Sequence, residues 1–360
     1  MSAPERVANS ILLALTLALF AGACLRAHSP RGIDGEHAAL SETLDAQIRA
    51  KPGFFGTVLV TVGGETILDR AYGKDASGEP IDPETPFWIA SITKQFTAVA
   101  VLSLRDRGSL SLDDPIRRFF PLAPSDKSGI TIRQLLTHTS GIDNGYAADG
   151  LTDRDSAVES ILEHPLQSAP GEKFRYAGDN YVLLAAIIEV ASDQTYEEFL
   201  GRLFDLAKMR KTTFWGAGFD EVAAIDRELE DEITRPNWGY RGATGIASTT
   251  GDLRKWVDSL AGGMIISRES VEELLTPRNG IGSDRWHCYG WFTSIDENGD
   301  RILWTRGYED TGHGGYIAAD PKWSWLVIVL SSSGAGNGED GFPLTHQITP
   351  ELVSILQSGG

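Results

Sequence analysis

The chain is predicted to fold as a mixed α/β (α+β) protein in which strands from both chain ends build one antiparallel β-sheet, flanked by helices, with an all-helical lobe inserted between them. Three observations predict it. Near the start, FFGTVLVTV and ETILDRAYG read as two strands joined by Gly63-Gly64, residues that a tight hairpin turn favours. The middle carries apolar residues at helical spacing, broken by Pro- and Gly-containing loops. The last third returns to short strands, YGWFTSI, RILWTR, GGYIAAD and WSWLVIVLSS. Strands at both ends that enclose helices imply a single sheet made by both termini.

The elements follow in order. Ile11 to Ala23 is an apolar run too short to cross a bilayer as a helix; Arg6 precedes it and the small residues Ala21-Gly22-Ala23 end it. Residues 1–23 are therefore expected to be a secretory signal peptide, 24–36 a linker and 37–358 the folded domain. Cys24 follows the small residues at once, as in a bacterial lipoprotein cleavage box, although Ala21 stands where that pattern prefers Leu. The expectation is an exported protein, periplasmic or anchored to the membrane through Cys24. His37 to Ala50 has helical spacing and leads into the hairpin. From Ser91 to Arg107, Phe96, Val99, Ala100, Leu102 and Leu104 recur at helical spacing, and Gly108 stops the helix. Further helices are expected at Ile132 to Leu136, Asp155 to His164, Tyr181 to Ala191 and Tyr196 to Leu206, with Leu344 to Leu356 closing the chain.

Composition narrows the function. The 360 residues are 41% hydrophobic and 9% aromatic, enough for a well-cored globular protein. A formal charge of −18 and a pI of about 4.8 argue against nucleic acid as a partner, because phosphate binding needs clustered Lys and Arg. Glu228 to Glu232, inside RELEDEITR, reads as a solvated face. Cys24 and Cys288 are the only cysteines, so no disulfide framework is expected, and Cys288 reads as a small buried side chain beside Tyr289. The seven histidines form no H-E-x-x-H or other ligand spacing, and no G-x-S-x-G nucleophile elbow occurs. No cofactor or metal is implied.

Ser91-Ile92-Thr93-Lys94 places a hydroxyl and an amine three residues apart, on one face of a helix and within mutual reach. Lys94 is thus able to take or steer the Ser91 proton. The spacing is commonplace, but this S-x-x-K is unique in the chain and opens a helix, whose dipole favours a developing anion.

The surrounding sequence, TPFWIASITKQFTAVAVLSLRDRGSLSLDDPIRRFFP followed by ITIRQLLTHTSGI, resembles the serine β-lactamase and penicillin-binding-protein superfamily, in its class C β-lactamase, D-alanyl carboxypeptidase and esterase branch. The similarity runs from about Gly56 to Ser332. By that resemblance Tyr176, in FRYAGDNY, takes the place of the tyrosine that shuttles protons between nucleophile and leaving group. An ordinary phenol titrates near 10, so a tyrosine working near neutrality needs a neighbouring cation, which Lys94 can supply. The resemblance also matches His313-Gly314-Gly315 to the motif on the strand lining the site, and implies an oxyanion hole made by the N–H groups of Ser91 and Tyr316. The segment from His313 to Asp320 is shorter than is usual in the family. Gly242-Ala243-Thr244-Gly245 resembles the Gly-rich segment at the site's rim, and His138 reads as a structural histidine.

In one place the chain departs from the pattern. The Asn expected two residues after Tyr176 is Gly178, which has no side chain to bond a substrate amide or to hold Lys94; Asn180 reads as structural. The expected function is a serine hydrolase acting through a covalent acyl-enzyme on esters or amides, with D-alanyl peptides, β-lactams and short carboxylic esters as named substrates. Gly178 and a histidine in place of a lysine favour the ester. The competing class is a non-catalytic relative that binds peptidoglycan or protein on a decayed site. The sequence does not give the oligomeric state.

Overall fold

Gly56 to Thr61 are buried without a break, so the strand they form is covered on both faces instead of alternating between core and water. That strand, β1 (Gly56–Val62), hairpins through Gly63 and Gly64, at φ 59° and 81°, into β2 (Glu65–Tyr72), and the positive angles are those a two-residue turn needs. In the structure, a computed structural model, the described residues are 35–75, 78–216, 222, 236–310, 312–333 and 343–358. The chain divides into two units, Met1–Glu42 and Thr43–Gly360. Of the first, residues 35–42 are described, as the opening turns of α1 (Gly35–Arg49). The expected signal peptide, Cys24 and the acidic stretch Glu228 to Glu232 lie outside the described residues. No helix among the described residues is long and apolar enough to cross a membrane.

The second unit is built on eight strands. After β2 the chain returns to this sheet only in its last third, with β6 (Asn279–Gly280), β7 (Arg285–His287), β8 (Phe292–Ile295), β9 (Arg301–Tyr308), β10 (Gly314–Ala319) and β11 (Trp325–Ser331). The order is β2-β1-β11-β10-β9-β8-β7-β6, antiparallel at every pairing. The expected sheet from both chain ends is therefore present.

One face of the sheet takes the helices of the chain ends. Asp45 of α1 accepts from Tyr72 Oη at 2.8 Å and pairs with Arg70 at 2.6 Å, while Lys51 and Gln47 bond Glu351 of the closing helix α9 (Thr345–Ser358) at 2.6 and 2.8 Å. The opposite face takes the inserted segment: α2 (Thr93–Asp106), α3 (Ile132–Leu136), α4 (Arg154–Glu163), α5 (Gly178–Ser192), α6 (Tyr196–Ala207), α7 (Thr250–Ala261) and α8 (Arg268–Leu274). Residues 178–188 of α5 are all buried, as a helix at the centre of a lobe must be. Trp256 of α7 is fully buried against Phe96 of α2, with ring centroids 4.5 Å apart, and its Nε1 donates to Gln95 Oε1 at 3.2 Å. This contact fixes the helix that carries Lys94.

The lobe is not wholly helical. Three short strands, β3 (Phe87–Trp88), β4 (Thr213–Phe214) and β5 (Ile246–Ser248), form a second sheet in the order β3-β5-β4. They are two or three residues long, below the length at which alternation is legible in a sequence. Their effect is local and important: pairing Trp88 with Ala247 carries the Gly242–Gly245 segment to the start of α2.

Candidate active site

The turn that carries Ser91 is the junction of β3 and α2. Ala90 adopts φ 49°, a left-handed conformation that costs a non-glycine residue about 1–2 kcal/mol. A single 3₁₀ turn, Ala90–Ile92, then feeds α2. Ser91 is part-exposed at this turn, whereas Ala90 and Ile92 on either side are fully buried. The turn rests on β9: a Cβ on Gly307 would stand 2.4 Å from Ser91 N and 2.7 Å from Ile89 O, so only glycine fits there.

Lys94 is 3% exposed. Its Nζ donates to Ser91 Oγ at 3.1 Å and to Ala243 O at 2.8 Å, and lies 5.1 Å from the Tyr176 ring centroid and 5.9 Å from that of Tyr181. The bonding partners are neutral oxygens, and the rings offer the π-face that attracts a cation. Trp88 Nε1, donating to Thr244 O at 2.7 Å, secures the segment that presents the Ala243 carbonyl. Tyr176 is half-buried, its hydroxyl bonds no described residue, and its ring stacks on His138 at 4.3 Å. The structure thus brings Ser91, Lys94 and Tyr176 together.

His138, in the left-handed region at φ 53°, accepts at Nδ1 from the N–H of Ala177 at 3.1 Å and from Asn180 Nδ2 at 3.3 Å. Ser140 Oγ bonds Asn180 Oδ1. These residues hold the Tyr176 segment in place and are structural, as read. Beside His138, at 4.8 Å between rings, sits His287 of β7, fully buried with neither ring nitrogen bonded. Burial first, and the Lys94 charge second, push His287 down to about 3; burial, His287 and Lys94 hold His138 well below its ordinary value.

Gly178 opens α5, and the side chain of another residue lies beside it. Asn144, from the loop after His138, accepts at Oδ1 from Gly178 N–H at 2.6 Å and caps the helix in the absence of a local cap. A Cβ on Gly178 would lie 3.5 Å from that same oxygen and 3.9 Å from Ala243 Cβ. Asp179 ties the loop down again, accepting from Ala147 N–H at 3.2 Å, and burial raises its carboxyl above the ordinary range.

The third motif element needs correction. Gly315 faces the turn that carries Ser91, where a Cβ would meet Ile92 Cδ1 at 2.9 Å, and Gly315 pairs with Gly307 across the ladder. His313 is buried in the turn before β10. Tyr316 does not serve the oxyanion. Strand alternation points it to the other face, where its ring packs 5.8 Å from Trp304 and 5.8 Å from His346 of α9. Its N–H belongs to a strand bonded by β9 on one edge and β11 on the other. The backbone against Ser91 is β9 at Gly307, and the shortness of the segment from His313 to Asp320 was the signal that the motif lies further upstream.

Two residues of the site had no signal in the sequence. Asn144 stands in a loop without a motif, and Glu309, just past β9, bonds Thr244 Oγ1 beside the Ala243 carbonyl.

Comparison with known proteins agrees with this geometry. The family model described as "Beta-lactamase" matches residues 43–348. The chain is 27% identical over 302 residues to penicillin-binding protein 4* of Bacillus subtilis strain 168, covering 73% of this chain and 64% of that protein. It spans less than two thirds of the length of the curated relatives it matches. Among solved structures, the octameric penicillin-binding protein homologue from Pyrococcus abyssi superposes with a TM-score of 0.74 at 25% identity, over 89% of this chain and 77% of that one. The D-amino acid amidase from Ochrobactrum anthropi SV3 superposes with a TM-score of 0.74 at 22% identity, over 89% of this chain and 99% of that one, a likeness of fold.

A neutral folded histidine gives stability that is complete above the unfolded pKa of about 6.5 and is lost as pH falls toward the folded value, by about 1.4 kcal/mol per pH unit per group. Urea unfolding midpoints should therefore drop between pH 7 and 5.5, and His287→Leu should flatten the slope by one group's share; an unchanged slope contradicts the assignment. Separately, Asn144→Ala should lower stability by about 1 kcal/mol through loss of the cap, and Asn144→Asp should not. Gly178→Asn puts a second side chain in contact with the Asn144 amide, so thermal melts should show it less damaging in an Asn144→Gly background, and additive effects would refute the coupling.

Proposed function

The chain belongs to the β-lactamase family, and from that membership we propose that it is a serine hydrolase working through a covalent acyl-enzyme on esters or amides. The observation that carries the proposal is the 3.1 Å hydrogen bond between Lys94 Nζ and Ser91 Oγ at a strained turn. Ser91 Oγ attacks the substrate carbonyl carbon, and its proton passes to the Tyr176 oxygen, which acts as the phenolate that the Lys94 ammonium stabilises. The tetrahedral intermediate collapses with cleavage of the bond to the alcohol or amine, which leaves with that proton. Water then adds to the acyl carbon, gives a proton back through the same groups, and releases the acid with Ser91 restored.

Support for this assignment comes from what surrounds the pair. The Lys94 partners accept hydrogen bonds without neutralising its charge, and the Tyr176 hydroxyl is left available. The rival reading, a non-catalytic peptidoglycan- or protein-binding relative, drew on Gly178; Asn144 returns a side-chain amide to that place and weakens it. Substrate candidates remain short esters, D-alanyl peptides and β-lactams. Export to the periplasm, with or without a lipid on Cys24, belongs to the same proposal and rests on the apolar run Ile11 to Ala23.

Ser91→Ala should lower turnover of p-nitrophenyl butyrate by about three orders of magnitude or more while the thermal melt stays within a few degrees of the parent. Retained turnover in the folded variant would remove Ser91 from the mechanism.

A further inference from the structure

Ser91, Lys94 and Thr97 stand three residues apart along the 3₁₀ turn and α2, so each side chain lies beside the next. Lys94 and Thr97 meet the same strip of backbone: the amine donates to Ala243 O at 2.8 Å and the Thr97 hydroxyl to Gly242 O at 2.8 Å. Trp88 Nε1 takes the following carbonyl, that of Thr244, so three consecutive carbonyls each receive a side-chain donor. Among the described residues neither Gly242 O nor Ala243 O accepts from a backbone N–H. Side-chain donors satisfy them instead.

The strip has no slack on its other side. Gly242, at φ 75°, is pressed against α5, where a Cβ would stand 2.1 Å from Tyr181 O, and Arg241 before it pairs with Glu197 of α6 at 2.6 Å. Thr97 is fully buried, and its hydroxyl has a single proton, which Gly242 O receives. Tyr196 Oη, buried too and 2.8 Å from Thr97 Oγ1, is therefore the donor in the bond between them. A hydroxyl with both roles assigned has one orientation.

The group that depends on this order is the amine. Ala243 O is one of its two hydrogen-bond acceptors, and Ser91 Oγ, at 3.1 Å, is the other. Any shift of the Gly242 and Ala243 carbonyls moves the amine relative to Ser91 and to the Tyr176 ring, 5.1 Å away. We propose that Thr97 is a positioning residue for Lys94: its hydroxyl, oriented by Tyr196, fixes these carbonyls and through them the place of the amine beside Ser91. This rests on the serine-hydrolase reading and adds to it a buried residue that acts on the reaction through Lys94.

The test is the rate of fluorophosphonate labelling, followed by intact mass, in folded variants held well below their melting temperatures. Thr97→Val keeps the shape and removes the hydroxyl, and should label about tenfold or more slowly; Thr97→Ser keeps the hydroxyl and should label within about threefold of the parent. In a Lys94→Met background the same Thr97→Val change should alter the rate by less than about twofold, because the residue through which it acts is gone. A threonine that only stabilises the fold would cost the same with and without Lys94. Unslowed labelling of Thr97→Val, a Thr97→Ser variant as slow as Thr97→Val, or a loss undiminished in the Lys94→Met background would overturn the proposal. If Thr97→Val does not fold, Tyr196→Phe, which removes the orienting donor without adding bulk, is judged by the same comparison with and without Lys94. No labelling of the parent sinks the serine-hydrolase reading as well, whereas a labelled parent with an unaffected Thr97→Val sinks this proposal alone.

Discussion

Lys94 holds its amine at 3% exposure between two neutral oxygens and two aromatic faces, with no carboxylate paired to it among the described residues. Removing an ammonium from water without a counter-charge costs several kcal/mol, and much of the surrounding architecture offsets that cost. The short sheet β3-β5-β4 delivers the Ala243 carbonyl; α5 delivers Tyr181; the His138 network delivers Tyr176. Burial above all, with that same charge adding to it, keeps the imidazoles of His138 and His287 from protonating. A fold that spends three separate elements on one amine has an evident use for it beside a serine.

Legibility in the sequence followed the range of the interactions. Elements set by local periodicity were readable: the β1–β2 hairpin, the helix at Ile132–Leu136, and the last strands stand where their patterns lie. Ser91 and Lys94 were readable because three residues on a helix suffice to define their contact. Features that depend on tertiary neighbours were not. The two- and three-residue strands of the small sheet carry no pattern, and Asn144 reaches Gly178 across 34 residues of sequence. Tyr316 was misassigned for a related reason. H-G-G reads as a motif, yet which strand touches Ser91 is decided by sheet order, and β9 carries Gly307 there.

The candidate site holds opposite charges without pairing them. Lys94 is bonded to Ser91, while Glu309, at the end of β9, is held by a neutral hydroxyl. Gly178 and Asn144 show a comparable economy: the helix start keeps a side-chain amide beside Ala243, but it comes from a loop and carries the cap as well. The candidate site is thus built from residues far apart in sequence.

The central claim is that the buried Lys94 amine activates Ser91. The most direct measurement is the rate at which a fluorophosphonate labels the protein, followed by intact mass, in the parent and in Lys94→Met, which keeps the volume and removes the charge. The account predicts a single adduct in the parent and labelling slower by about a hundredfold or more in the variant. Equal rates in two folded proteins would contradict it.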